Sequence, residues 1–183
     1  RERWRDSNGD GVLDKDGRKF SFVLKIPAGD QLRSNIAAIV QSQLRALKIE
    51  VQIEQVERSV FWRDLMQKKY DAWIAGFSVP LQMQLDELWG GDLDRSRFNL
   101  VSFQNKRVDE ILRGAKRVQK ETDHAAAWKE FQVILFNEQP CTFLYWMNGL
   151  VAVNKRVGGT DIGVLGTMYH ARDWYIQVAT EGR

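Results

Sequence analysis

Apolar and polar residues alternate one by one near the start of the chain. Phe20, Phe22, Leu24 and Ile26 fall on one side, with Ser21, Val23 and Lys25 between them. That period of two predicts a strand, and Pro27-Ala28-Gly29 ends it. The period then lengthens. Leu32, Ile36, Ile39, Val40, Leu44 and Leu47 recur at three and four residues and draw one apolar stripe along a helix from about Asp30 to Lys48. Asp30 stands where the first turn needs an N-cap oxygen. Alternation returns in Glu50-Val51-Gln52-Ile53-Glu54, a second strand. Ser59 is placed to cap a short helix reaching Tyr70, with Phe61, Leu65 and Trp62 inward. Ala72-Trp73-Ile74-Ala75-Gly76-Phe77 is apolar throughout, the pattern of a strand covered on both faces. The order is β-α-β-α-β, whose crossovers are expected to be right-handed.

Residues 78–104 lose the periodicity and contain Pro80, Gly90 and Gly91, so a long excursion is expected, with one helical turn at Leu85–Trp89. Two helices follow. Asn105 caps the first, which runs to about Gln119 with Val108, Ile111, Leu112, Ala115 and Val118 on one side. The second spans about Asp123 to Asn137, with Ala127, Phe131, Ile134 and Leu135 inward and Pro140 as its stop. Thr142–Tyr145 and Leu150–Val153 read as strands, and a Gly-rich loop at 158–166 precedes Trp174-Tyr175. The expected fold class is α/β: a mixed sheet, a β-α-β-α-β start and flanking helices, in a single lobe covering residues 1–183.

Composition narrows the class. Seven Trp, nine Phe and four Tyr in 183 residues supply enough apolar area for a core, so disorder is not indicated. The net charge of +3 is spread out. The pairs Lys68-Lys69, Lys106-Arg107 and Lys116-Arg117 sit on or beside helical segments without interleaved aromatics, which favours solvated helix faces over a nucleic-acid groove. Cys141 is the sole cysteine, so an internal disulfide and a Cys-cluster metal site are both excluded. No stretch reaches the roughly 18 apolar residues of a membrane helix. The opening on Arg1-Glu2-Arg3-Trp4 carries the expectation of a longer parent chain, with any targeting or anchoring segment outside these residues.

Candidate chemistry is sparse. Asp6, Asn8, Asp10, Gly11 and Asp14 follow the opening of a calcium loop, but Gly17 stands where the bidentate Glu belongs, and a turn rich in Asp and Gly is the simpler reading. His124 and His170 lie far apart, outside any catalytic motif. Asp86, Glu87, Asp92 and Asp94 hold the one arrangement from which a carboxylate pair of a carbohydrate-active hydrolase can be drawn, against a solvated acidic loop. Gly158-Gly159 and Gly163 to Gly166 lack the strand–loop–helix setting of a phosphate cradle. Aromatics are the richer signal: Trp73, Phe77, Trp89, Tyr145 and Trp146 gather near predicted strand ends and the long loop.

A set of short stretches in a fixed order then points to a family. These are Trp4-Arg5-Asp6 through Gly11-Val12-Leu13, the strand Phe20–Leu24, the helix Ile36–Leu47 with Lys48-Ile49-Glu50-Val51, and Tyr70-Asp71-Ala72 leading to Ala75-Gly76-Phe77. Asn99, Phe103-Gln104-Asn105, Val108–Leu112, Glu138-Gln139-Pro140, Phe143-Leu144-Tyr145 and Asn154–Gly159 complete it. In this order the chain resembles the C-terminal lobe of family 5 extracellular solute-binding proteins, which serve dipeptide, oligopeptide and nickel importers.

The resemblance implies one lobe of a protein like the type II periplasmic binding proteins, whose missing N-terminal lobe closes with this one on a ligand. Residues 160–183 would return toward that missing lobe. It further implies a periplasmic or extracellular location, an ABC permease in the membrane as partner, no cofactor and no chemistry on the ligand, which is a peptide, a sugar or another small solute. Peptide-binding members carry Gly-Trp-x-x-Asp after the third strand, where this chain has Gly76-Phe77-Ser78-Val79-Pro80. A common Glu-Trp pair appears here as Glu57-Arg58. The expected ligand-binding residues are Arg58, Phe77, Ser78, Val79 and Trp89: Phe77 to stack, Ser78 to hydrogen-bond, Arg58 to pair with an anion.

Overall fold

Pairing of one strand with both neighbours organises the first part of the chain. The computed structural model describes residues 4–77, 84–115, 125–147, 149–163 and 166–177. A small antiparallel pair, β1 (Asp14–Lys15) and β2 (Arg18–Lys19), precedes the central strand β3 (Ser21–Pro27). Helix α1 (Gln31–Ala46), strand β4 (Glu50–Val56), helix α2 (Arg58–Met66) and strand β5 (Ala72–Trp73) follow. The sheet is parallel, in the order β4-β3-β5. This is the predicted β-α-β-α-β unit.

Backbone chemistry explains why β5 is shorter than its apolar run. The Ile74 N–H donates to the Lys25 carbonyl, so the odd-numbered residues of β3 present their backbone groups to β5. One of these, Pro27, has no N–H to offer. Another, Val23, donates its N–H to the Asp71 carboxylate instead (3.0 Å). The ladder is therefore held to the stretch between them, and Ala75–Phe77 runs on without strand pairing.

The even-numbered residues of β3 face α1. Leu24 and Ile26 pack with Ala37, Val51 and Ile74 in one core cluster. The other face meets α2, where Phe61 and Leu65 pack with Leu100, Val56 and Trp73. Lys25 also points to this second face. Its ammonium donates to Asp64 of α2 (2.9 Å) and to the Lys69 carbonyl (3.2 Å), with Glu54 of β4 at 3.6 Å. The hydrogen bond to Asp64 raises the Lys25 pKa against the effect of burial, and the same bond holds the Asp64 carboxyl low. An apolar sheet face thus carries one charge, satisfied from three directions.

Capping at α2 differs from expectation. Glu57, not Ser59, is the N-cap: its carboxylate accepts from the Ser59 and Val60 N–H groups, and the Ser59 hydroxyl donates to it. The longer acidic side chain reaches the first turn from just outside it, leaving Ser59 inside the helix. The helix stops at Met66, and Lys68 takes a left-handed φ of 55° before Tyr70. α1 starts as the sequence indicated, with Asp30 accepting from the Arg33 N–H (2.9 Å).

The excursion contains α3 (Leu85–Trp89) and is tied down by Asn99, which is almost fully buried. Its amide donates to the Gly90 and Phe103 carbonyls and accepts from the Phe103 N–H. Tyr70 donates its hydroxyl to the Leu100 carbonyl, which joins this segment to the sheet layer. Helices α4 (Lys106–Ala115) and α5 (Ala125–Glu138) then form a second cluster of Phe103, Val108, Ile111, Leu112, Phe131 and Leu135. Asn105 caps α4 by accepting from Arg107 and Val108, and Arg107 grips Glu130 of α5 with two bonds of 2.7 Å. The predicted helix ends at Gln119 and Asp123 lie outside the described residues.

The described residues up to Pro140 belong to one compact unit, and those from Cys141 onward to another. In the second, β6 (Val157–Gly158) pairs antiparallel with β7 (Tyr175–Ile176). Gly158 lies flat against Tyr175: an added Cβ would come within 2.5 Å of the ring. The strands predicted at Thr142–Tyr145 and Leu150–Val153 do not form. Apolar β-formers there lack a ladder partner among the described residues, and Trp146 and Leu150 stand exposed at 77% and 95%. Cys141 is half-buried, and burial pushes its thiol pKa up, as expected of an unreactive cysteine.

Two measurements test this account. Asn99→Leu strands the Phe103 N–H and two carbonyls, and should cost about 1–3 kcal/mol in chemical denaturation. Asp64→Asn should flatten the acid side of the stability curve. The depressed Asp64 carboxyl contributes stability that is present above its ordinary pKa of 3.8 and lost as pH falls through the lower folded value. Melting curves from pH 2 to 6 should therefore converge for wild type and variant at the acid end and diverge toward pH 6.

Candidate functional site

Strand order decides where a ligand can sit. The chain leaves β3 for β4 on one side, then crosses to β5 on the other. An open parallel sheet with this reversal has a crevice outside the carboxyl ends of the strands. Three chain segments leave the sheet there: Ala28-Gly29-Asp30 after β3, Glu57-Arg58 after β4, and Ile74–Phe77 after β5. The first two run side by side, because the Ala28 N–H donates to the Val56 carbonyl (2.7 Å). Gly29, with φ of 77°, makes the sharp entry into α1 that a side chain would strain.

Arg33 connects these exits. One guanidinium nitrogen pairs with the Asp30 carboxylate. Another lies 3.2 Å from where a Cβ on Gly76 would stand, so the missing side chain at Gly76 leaves room for it against the β5 exit. The Asp30 carboxyl is held below its ordinary pKa chiefly by the Arg33 backbone N–H; burial opposes this, and the Arg33 side chain and the field of Arg58 add to the lowering. Glu57 is likewise held low by the Ser59 hydroxyl and the N–H groups of α2. Both carboxylates of the site are thus committed to helix starts. The Arg58 side chain is exposed, and its guanidinium has no hydrogen bond or ion pair among the described residues, while its backbone N–H is one of those that hold the Glu57 carboxyl low. Phe77 is 46% exposed at the end of the third segment.

The residues expected from sequence separate. Arg58 and Phe77 lie on strand exits of the same sheet edge. Ser78 and Val79, with Pro80, fall outside the described residues. Trp89 is half-buried in α3 and meets Phe103 edge-on at 6.2 Å, in the helical cluster. The sequence reading missed Arg33 and Gly76. Their signal was an arginine three residues after an N-cap that directly follows a strand, with a glycine breaking the end of another strand.

Two other polar features lie elsewhere. A cavity of about 260 Å³ is lined by Val23, Lys25, Glu54, Lys69, Tyr70 and Asp71. Asp71 precedes β5, so it stands at the opposite end of that strand from Phe77. In the Asp6–Asp14 loop, Asp6 accepts from the Gly11 N–H and Lys48, and Asp14 accepts from Ser7. Asp10 pairs with Lys19 at 2.7 Å, a bond that pulls its carboxyl down to about 2. The loop's carboxylates answer to its own N–H groups and to lysines, and among the described residues no cluster of His, Cys, Asp or Glu has the arrangement of a metal site. In the acidic loop, Asp86 and Glu87 occupy the first turn of α3 and Asp92 pairs with Arg95.

Comparison with known proteins gives a consistent result. Residues 2–84 match the family model for bacterial extracellular solute-binding proteins, family 5 middle. The chain is 30% identical over 175 residues to the oligopeptide-binding protein AppA of Bacillus subtilis, covering 94% of this chain and 32% of that protein. Superposed on the structure of AppA in complex with a nonapeptide, it gives a TM-score of 0.82 at 29% identity, over 96% of this chain and 35% of the other. NikZ from Campylobacter jejuni, in complex with Ni(L-His), shares the fold, with a TM-score of 0.70 at 22% identity over 93% of this chain and 36% of that one. The chain thus spans about a third of the length of these relatives. They are type II periplasmic binding proteins, named for what they bind and not for any catalysis.

The Asp30 cap can be tested directly. Asp30→Ala removes the acceptor of the first turn of α1 and the partner of Arg33, and should cost about 1 kcal/mol. Asp30→Asn keeps the cap acceptor and should cost less. The depressed Asp30 carboxyl adds stability above its ordinary pKa, lost as pH falls through the folded value, so the gap between wild type and Asp30→Asn should close in acid. Thermal melts of the three proteins between pH 2 and 7 check both points.

Proposed function

We propose that this chain, which belongs to the bacterial extracellular solute-binding proteins of family 5, forms one wall of a ligand cleft in the substrate-binding component of an ABC importer. In this reading a further lobe of the same protein supplies the facing wall, and closure on the ligand presents the pair to a membrane permease. The protein works outside the cytoplasm, in the periplasm or the extracellular space. The ligand is a peptide or a solute of similar chemistry. Sugars, part of the initial expectation, are dropped, because the ligands named with the relatives above are a peptide and a metal chelate.

One observation carries the reading: the carboxyl edge of the parallel sheet presents an aromatic ring, Phe77, and an uncommitted guanidinium, Arg58, at the place where such sheets take ligands. Ser78 and Val79, next in sequence after Phe77, remain proposed ligand-binding residues. Similarity to an oligopeptide-binding protein over 94% of the chain supports it. The hydrolase alternative has no comparable support: Asp86 and Glu87 lie in the first turn of α3, and Asp92 pairs with Arg95.

The test is calorimetric titration of the full-length protein with mixed-sequence pentapeptides, alongside nickel–histidine and a small set of sugars. Saturable peptide binding without turnover is expected. Phe77→Ala should weaken it about tenfold, the loss of one stacking contact. Sustained hydrolysis of any of these compounds, or tight sugar binding with none for peptides, would overturn the proposal.

A further inference from the structure

The exit from β5 has little of its own to hold it. Its backbone ladder ends where the Ile74 N–H donates to the Lys25 carbonyl (3.2 Å). Ala75 still packs against the cluster of Phe61, Leu65 and Leu100. Beyond it, Gly76 and Phe77 are exposed and make no hydrogen bond among the described residues. Glycine also has the widest choice of backbone conformation, so nothing local gives Phe77 one position. A ring that must be ordered as its ligand arrives loses part of its stacking energy to that ordering.

Arg33 supplies the missing constraint from outside the strand. Ile74 packs with Ala37 of α1, and Gly76, two residues on, continues on that side. A Cβ added to Gly76 would stand 3.2 Å from one nitrogen of the Arg33 guanidinium. Another nitrogen of the fork pairs with the Asp30 carboxylate. That carboxylate also accepts from the Arg33 backbone N–H (2.9 Å), and the Asp30 carbonyl accepts from the Ser34 N–H (3.0 Å) and hydroxyl (2.9 Å). Arg33 thus holds one acid with both its backbone and its side chain, a closed loop that leaves the guanidinium little freedom. The two side chains are only 28% and 15% exposed, so the pair is screened less by water than one on the open surface.

We infer that Arg33 is a positioning residue for the ligand wall: braced on Asp30, it lies against Gly76 and sets where Phe77 stands. The inference rests on the reading of Phe77 as a ligand contact. Arg33 does not itself meet the ligand in this account. Its charge is spent on Asp30, and its role is mechanical, a strut from the start of α1 to the exit of β5. Gly76 serves the same arrangement, because a side chain there would crowd the guanidinium. The bond from the Ala28 N–H to the Val56 carbonyl (2.7 Å) already joins the β3 and β4 exits. The strut therefore ties the third exit to a junction that is fixed without it.

The experiment is a double-mutant cycle in the full-length protein, read by calorimetric titration with mixed-sequence pentapeptides. Wild type, Arg33→Ala, Phe77→Ala and the double variant are compared, with Arg33→Lys as the conservative replacement. A cooperative thermal melt of each establishes that it is folded. Arg33→Ala should weaken binding about three- to tenfold, no more than loss of the ring it positions. In the Phe77→Ala background the same change should cost less than about twofold, since no ring is left to place. Arg33→Lys should fall between wild type and Arg33→Ala, because one ammonium cannot both hold Asp30 and lie against Gly76 as the fork does. An equal loss from Arg33→Ala with and without the ring would mean direct contact with the ligand or a general effect on the fold, and would overturn the inference. Unchanged affinity of Arg33→Ala beside a weakened Phe77→Ala would also overturn it, while the ligand wall stands. If no pentapeptide binds wild type, or Phe77→Ala binds as wild type does, the reading of Phe77 fails first and takes the strut with it.

Discussion

Strand β3 is the constraint on which the first unit depends. It is paired on both edges, and its Leu24–Pro27 stretch is buried between the layers on its two faces. A one-residue slip in its register would exchange Leu24 and Ile26 for Lys25 and push a charge into the α1 interface. Lys25 tolerates its own position only because Asp64, Glu54 and the Lys69 carbonyl converge on its ammonium. The ion pair adds specificity more than net stability: it ties α2 to one register of the sheet.

The same strand also limits its neighbour. Pro27 withholds a donor at one end, and Asp71 captures the Val23 donor at the other, so β5 pairs briefly and then departs. That early departure frees Gly76 and Phe77 from the ladder and delivers them to the carboxyl edge. Local backbone chemistry in β3 thereby shapes the candidate site. Helix starts complete the edge. Asp30 and Glu57 each neutralise a set of unpaired N–H groups, and in doing so they leave the arginines beside them with unequal commitments.

Much of this was legible along the chain. The change from period two to period three-and-four located β3, α1 and β4, and Asp30 and Asn105 were correctly placed as caps because a short acceptor before an apolar stripe has few other uses. The even-numbered core of β3 followed from alternation alone. The cap at Glu57 did not, because its reach depends on how the chain enters α2. Nor did the failure of Thr142–Tyr145 and Leu150–Val153 to form strands, because β-propensity describes a residue's fitness for a sheet and says nothing of whether a partner edge is present.

For the site the division is the same. Sequence by itself determined the elements, the faces they bury and the chemistry at hand: an aromatic at Phe77, a cation at Arg58, and no nucleophile with a matching base. Tertiary structure decided which of these meet. Arg33 reaches Gly76 across a long stretch of chain only because β3 lies between β4 and β5, and the order of strands in a sheet is not written in any local period. Trp89, equal to Phe77 as an aromatic in the sequence, went to the helical cluster because α3 packs on Phe103. Hydrophobic periodicity is a local property fixed by backbone geometry, whereas proximity between distant segments depends on which faces find each other, and that is settled only when the whole core assembles.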